Sequence, residues 1–173
     1  MQAIKLSRVL KVNFLALFVL MGTLTFGQSA AEAYKAGNEG WLVKIDDAYE
    51  ESQKTGKPIL ANFTGSDWCG WCKRLTKSVF IHDEFKTWAD ENVVLLELDF
   101  PRRSSVPDEI AKQNRNLQKA FGVRGYPTIH VFDLSKNDAG EFAISALGKT
   151  GYTKTVGEFT TGVEQMIARR GSE

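Results

Sequence analysis

The chain of 173 residues is 43% hydrophobic and 25% charged, which excludes a disordered or low-complexity polypeptide and leaves room for one globular domain. Its formal charge of +1 includes Lys5, Arg8 and Lys11, with no acid beside them; without those three positives the part after Ala30 carries −2, and no nucleic-acid partner is expected. With only two cysteines, a structural disulfide network is excluded by count.

The three early basic residues precede an apolar run over residues 14–26 and the small residues of Gly27-Gln28-Ser29-Ala30-Ala31-Glu32-Ala33. This pattern predicts a secretory signal over residues 1–31, removed to leave a domain over 32–173 and an exported, periplasmic protein. The rival is an uncleaved membrane anchor, although residues 12–26 number about 15 against the roughly 20 of a full span.

Trp41, Ile45, Ala48, Tyr49 and Ser52 recur at helical spacing against Asp46, Asp47, Glu50, Glu51 and Lys54, predicting an amphipathic helix that stops at Gly56. Pro58 opens the apolar run 59–63, a central strand covered on both faces. Thr64-Gly65-Ser66-Asp67 then turns into a helix with Cys72, Leu75 and Val79 on one face and Lys73, Arg74 and Lys77 pointing away. Asp83 is placed to cap a short helix bearing Phe85, Trp88 and Ala89. Residues 93–98 read as a second core strand in which Glu97 is the anomaly.

Residues 101–105 form a polar connection whose two arginines read as a solvated loop. Ser105 as cap and Pro107 inside the first turn announce a helix burying Ile110, Leu117, Ala120 and Phe121, stopped by Gly122. A strand over 129–132, turn residues over 135–140 and the alternation of Phe142, Ile144 and Ala146 predict a hairpin. Thr155 with Glu158 is a capping-box pattern for a last helix bearing Phe159, Val163, Met166 and Ile167, with Gly157 and Gly162 weakening it. His82 is expected at the surface and His130 facing outward. The pattern supports an α/β sandwich with a mixed sheet.

The chemistry lies in Trp68-Cys69-Gly70-Trp71-Cys72-Lys73. Two thiols separated by two residues at a helix start lie close enough to close a disulfide, and the helix N-terminus stabilises negative charge on the first sulfur. Cys69 is the candidate attacking thiolate and Cys72 the resolving thiol. Two structural cysteines or half of a zinc site are the alternatives; the flanking Trp68 and Lys73 and the preceding apolar strand favour the redox reading. A zinc site that also drew on His82 and His130 would need an unusual spacing, so no metal is expected.

Lys57-Pro58-Ile59-Leu60-Ala61-Asn62-Phe63, the Trp-Cys-Gly-Trp-Cys-Lys block and Gly125-Tyr126-Pro127-Thr128, in this order, resemble the thioredoxin superfamily from about Trp41 to the C-terminus. The resemblance implies a thioredoxin fold: a central mixed β-sheet flanked by helices on both faces. It also implies that Pro127 is in cis beside the cysteine pair, leaving the backbone of Tyr126 free to pair with an extended substrate. No cofactor is implied beyond a redox-active Cys69–Cys72 disulfide.

Three departures from the family pattern stand out. Trp71 replaces the proline of many thioredoxins and the histidine of disulfide isomerases, and with Gly70 it tunes the Cys69 thiolate. Asn62 stands where thioredoxins place a buried aspartate that moves the proton of the resolving cysteine. Glu97, on the neighbouring strand, is then either a substitute proton shuttle or a solvent-facing edge residue. The third is Tyr126, which is closer to disulfide isomerase domains, while the lead-in to Trp68 resembles exported bacterial thioredoxin-like proteins. Trp68 and Trp71 read as an apolar docking rim, with Trp68 equally suited to packing.

These features point to an exported thiol-disulfide oxidoreductase that reduces disulfides in envelope proteins. Its expected partners are disulfide-containing or unfolded exported proteins and a membrane electron donor or acceptor. The alternatives are a disulfide oxidase or isomerase on the same scaffold, and a non-catalytic thioredoxin-like binding module.

Overall fold

Four strands in the order β2-β1-β3-β4 form the central sheet of the chain, for which a computed structural model describes residues 34–170. The predicted signal or anchor lies outside those residues. β1 (Ile59–Thr64) pairs in parallel with β2 (Val94–Asp99) and antiparallel with β3 (Thr128–Lys136), which forms a hairpin with β4 (Phe142–Thr150). All six residues of β1 are buried, as its unbroken apolar run requires of a strand covered on both faces.

Two apolar layers enclose the sheet. On one side α1 (Ile45–Thr55) brings Ile45 and Ala48 onto Ile59, Ala61, Phe63 and Leu96, joined by Leu117 and Phe121 at the end of α4 (Asp108–Ala120). On the other lie α2 (Gly70–Leu75), its continuation as one π-helical turn (Thr76–Phe80), α3 (Asp83–Asn92) and α5 (Val156–Ile167). There Phe80, Phe85 and Phe159 pack with ring centroids 5.1–5.7 Å apart over Leu60, Ile129 and Val131. Each fully buried Phe contributes about 1.5–3 kcal/mol relative to exposure.

Most predicted breaks fall where the chain demands them. Gly56 (φ 71°) and Gly122 (φ 62°) take left-handed conformations just after α1 and α4. Thr155 caps α5 through Glu158 N–H, and the Glu158 carboxylate returns to Lys154 N–H one residue before the cap, so α5 starts just after Thr155 despite both glycines. The outer edge of β2 is covered by Leu42, which donates to Leu95 O and accepts from Glu97 N–H.

Several expectations are corrected. Trp41 precedes α1 and packs instead against Phe80 and Phe85. The caps of α3 and α4 are His82 and Pro107, neither with a side-chain capping bond, so Asp83 is the first helical residue and Ser105 lies outside the helix. In α4, Ala120 is exposed, and Asn114 takes the buried stripe by donating to Asp99 O at 3.0 Å. Alternation in β4 does not bury Ile144 (37% exposed); pairing skips from Val131–Gly148 to Phe132–Ala146, and the bulged Leu147 is the buried residue. His130 does not face outward: it is 7% exposed, between Phe63 and Phe121. Burial, then the charge of Lys149, lowers its pKa.

Candidate active site

β1 delivers the chain to a tight turn in which Gly65 O accepts the N–H groups of Trp68 and Cys69 at 3.2 and 2.8 Å. Packing requires glycine there, because a Cβ would stand 2.5 Å from Cε2 of the Trp68 indole. Two carboxylates fasten the turn. Asp99 at the end of β2 accepts the N–H and hydroxyl of Ser66 at 2.8 and 2.6 Å, while Asp67 accepts the N–H groups of Arg102, Arg103 and Ser104. These donors, Arg102 foremost, hold Asp67 below the usual carboxylate range.

Cys69 is the N-cap of α2, and its Sγ accepts the N–H of Cys72 at 3.1 Å. The two sulfurs are bonded to each other, with Cα atoms 5.3 Å apart, and both residues are buried. No acidic residue occupies the first turn of α2, and Lys73 and Arg74 lie in its last. When the disulfide opens, the Cys72 N–H and the helix end therefore favour negative charge on Cys69 Sγ, and nothing on the helix opposes it.

The two tryptophans around the pair are treated differently by the fold. Trp68 is wedged in place: its indole N–H donates to Phe100 O at 2.8 Å, its ring meets Tyr126 edge-on at 5.7 Å, and the Arg102 guanidinium lies 3.8 Å above it. One of the two arginines read as solvated thus covers an active-site ring. Trp71 is 53% exposed, 5.0 Å from the Tyr152 ring, with Arg74 at 4.6 Å. Gly70, between the cysteines, is exposed and has open space around its Cα.

The Tyr126–Pro127 peptide bond is cis. Because Phe63 pairs with Thr128, the chain leaving β1 towards Cys69 and the chain entering β3 from Pro127 lie at the same end of the sheet. The Tyr126 hydroxyl accepts from Gln118 at 2.6 Å, and burial raises its pKa.

Glu97 is not a solvent-facing edge residue. It is 3% exposed and lines, with Cys72, Thr64, Ser66, Lys73 and Lys77, a cavity of about 280 Å³. Its Oε1 accepts Gly37 N–H at 2.6 Å; its Oε2 accepts the Asn38 N–H and side-chain amide. Burial raises its pKa, the three donors oppose that shift, and the Asp99 charge adds to it. Asn62 is its register neighbour on β1, 2% exposed, with Oδ1 lacking a hydrogen-bond partner in the protein.

Sequence reasoning missed Gly37, Asn38 and Asp99. The first two carry no local signal, because their bonds to Glu97 span 60 and 59 residues. Asp99 had a faint one, an acid ending an apolar strand. Among the described residues, no group of three or more His, Cys, Asp and Glu side chains is arranged to hold a metal, and no helix is long and apolar enough to cross a membrane.

A thioredoxin-like family model matches residues 40–133. The chain is 31% identical over 110 residues to the disulfide bond reductase DsbH of Chlamydia pneumoniae, covering 64% of this chain and 66% of that protein. It is 26% identical over 119 residues to the thioredoxin-related protein DsbJ of the same organism, covering 69% of this chain but 34% of DsbJ. The solved structure of a DsbH oxidoreductase superposes with a TM-score of 0.63 at 28% identity, over 77% of this chain and 87% of that one. The chain thus spans just under two thirds of the first curated relative and about a third of the second.

Proposed function

The chain belongs to the thioredoxin-like family, and from that premise we propose that it is an exported thiol-disulfide oxidoreductase that reduces disulfides in proteins of the cell envelope. The observation that carries this reading is the Cys69–Cys72 disulfide at the start of α2, with Cys69 Sγ receiving the Cys72 N–H. The reducing direction draws support from the likeness to a disulfide bond reductase and from the absence of a histidine between the cysteines, whose positive charge would stabilise the thiolate.

In the dithiol form, Cys69 thiolate attacks one sulfur of a substrate disulfide. A Cys69–substrate disulfide forms, and the other substrate sulfur leaves as a thiolate that takes up a proton. Glu97 carboxylate accepts the proton of Cys72 through the cavity they share, and Cys72 thiolate attacks Cys69 Sγ. The Cys69–Cys72 bond forms, the mixed disulfide breaks, and the substrate departs with both sulfurs reduced. The protein has lost two electrons, which a membrane donor returns. Trp71 and the backbone at Tyr126–Pro127 flank the approach to Cys69, with Trp68 and Gly70 shaping the turn that carries it. The sulfur pair supplies all the redox chemistry, so no cofactor or metal takes part. Residues 1–31 supply the export signal.

Equilibration of the protein in graded thiol-disulfide buffers, reading the Cys69–Cys72 redox state, tests the direction. A potential near the roughly −270 mV of thioredoxin is expected; about −180 to −120 mV would assign isomerase or oxidase work instead.

A further inference from the structure

Gly37 and Asn38 lie ahead of the residues that the family model matches, yet among the described residues they supply the hydrogen bonds to the one buried carboxylate in the Cys72 cavity. Gly37 N–H, Asn38 N–H and the Asn38 amide converge on the two oxygens of Glu97, and Gly37, Asn38, Glu97 and Cys72 line the same cavity. We propose that Asn38 is a positioning residue of the redox site, holding the Glu97 carboxylate towards Cys72 as the acceptor of its proton. This inference rests on the reading of Glu97 as that acceptor.

The chemistry gives the contact a direction. Donors aimed at a carboxylate favour its ionised form, and that form alone can take the proton from Cys72 thiol before Cys72 attacks the mixed disulfide. Once Glu97 is protonated, it presents a hydroxyl to a cluster of donors, so the proton is passed on to solvent rather than retained. The other groups facing this carboxylate are fixed in type. Asp99 repels its charge, and the half-buried Tyr34, its phenol pushed up to about 12, feels both acids. Lys73 and Lys77 line the cavity from the active-site helix and its π-helical turn. Among the described residues, Asn38 is the one side chain that hydrogen-bonds the carboxylate.

The test is the pH dependence of mixed-disulfide resolution in single turnover, for the wild type, Asn38→Ala and Glu97→Gln. In the wild type the rate falls on the acid side as Glu97 becomes protonated. Asn38→Ala is expected to move that acid limb upward by about one pH unit, the scale of a hydrogen bond to a charged group. Asn38→Asp, which replaces the donor with a like charge, is expected to move it further. Alkylation of Cys69 in the reduced protein should be unchanged, which a general loosening of the fold would not leave so. If Glu97→Gln abolishes the limb while Asn38→Ala leaves it in place, the role of Asn38 is overturned and that of Glu97 stands. If Glu97→Gln leaves the limb in place, both fall.

Discussion

Asn62 and Glu97 are register partners across the parallel pair of β1 and β2, so an uncharged amide and a buried carboxylate sit side by side beneath the active-site helix. The titratable group has in effect moved one strand sideways from the position the family pattern assigns it. The segment at Gly37 and Asn38 provides donors for this carboxylate beside the edge strand β2, whereas Asn62 Oδ1 on β1 has no hydrogen-bond partner in the protein.

Glu97 makes stability depend on pH with a definite sign. Its folded pKa is raised, so its protonated form is favoured by folding; the associated stability is full below the ordinary value of 4.5 and is lost as pH rises through the raised one. Urea midpoints of the oxidised protein should therefore fall relative to those of Glu97→Gln as pH increases over that window. A constant difference would mean that Glu97 titrates normally.

His130 acts in the opposite direction. Its folded pKa is lowered, so its contribution is present above the ordinary 6.5 and is lost as pH falls through the depressed value. His130→Phe keeps an aromatic ring against Phe63 and Phe121 and removes the proton site. At pH 5 it should be more stable than the wild type, with little difference at pH 8.

Cys72→Ser should leave attack by Cys69 intact and stop resolution. Mixed disulfides with substrate are expected to accumulate and to be visible on non-reducing gels, with turnover at the uncatalysed background. Cys69→Ser should form none. Equal trapping by both variants would reverse the assigned roles.

Gly65→Ala places a methyl against the Trp68 indole, which is held by Phe100 O and Arg102. The displaced ring should reduce stability by about 1–3 kcal/mol, as overpacking generally does, and slow thiol exchange at Cys69. Denaturant melts paired with alkylation rates check this, and a variant melting with the wild type would show that the turn yields easily.

Trp71→Ala removes the exposed ring beside the sulfurs without touching the core. Protein-disulfide reduction should lose about tenfold in kcat/KM, the scale of a truncated aromatic contact, while reduction of a small disulfide and the melting midpoint stay unchanged. Equal losses on both substrates would assign Trp71 to tuning the sulfurs rather than to docking.

The sequence by itself determined what local pattern controls. The unbroken apolar run of β1, the CxxC block at a helix start, the glycine stops at Gly56 and Gly122 and the Thr155–Glu158 cap are short-range features, and each is found where its pattern placed it. Tertiary structure alone decided the rest. His130 faces an aromatic pocket because β3 is buried on both faces, and a bulge moves Leu147 rather than Ile144 into the core. Glu97 lines the Cys72 cavity rather than facing solvent because strand register and a segment some sixty residues earlier enclose it. Burial and hydrogen-bond partners are relations between distant parts of a chain, so no local pattern could place a buried carboxylate in the cavity that Cys72 lines.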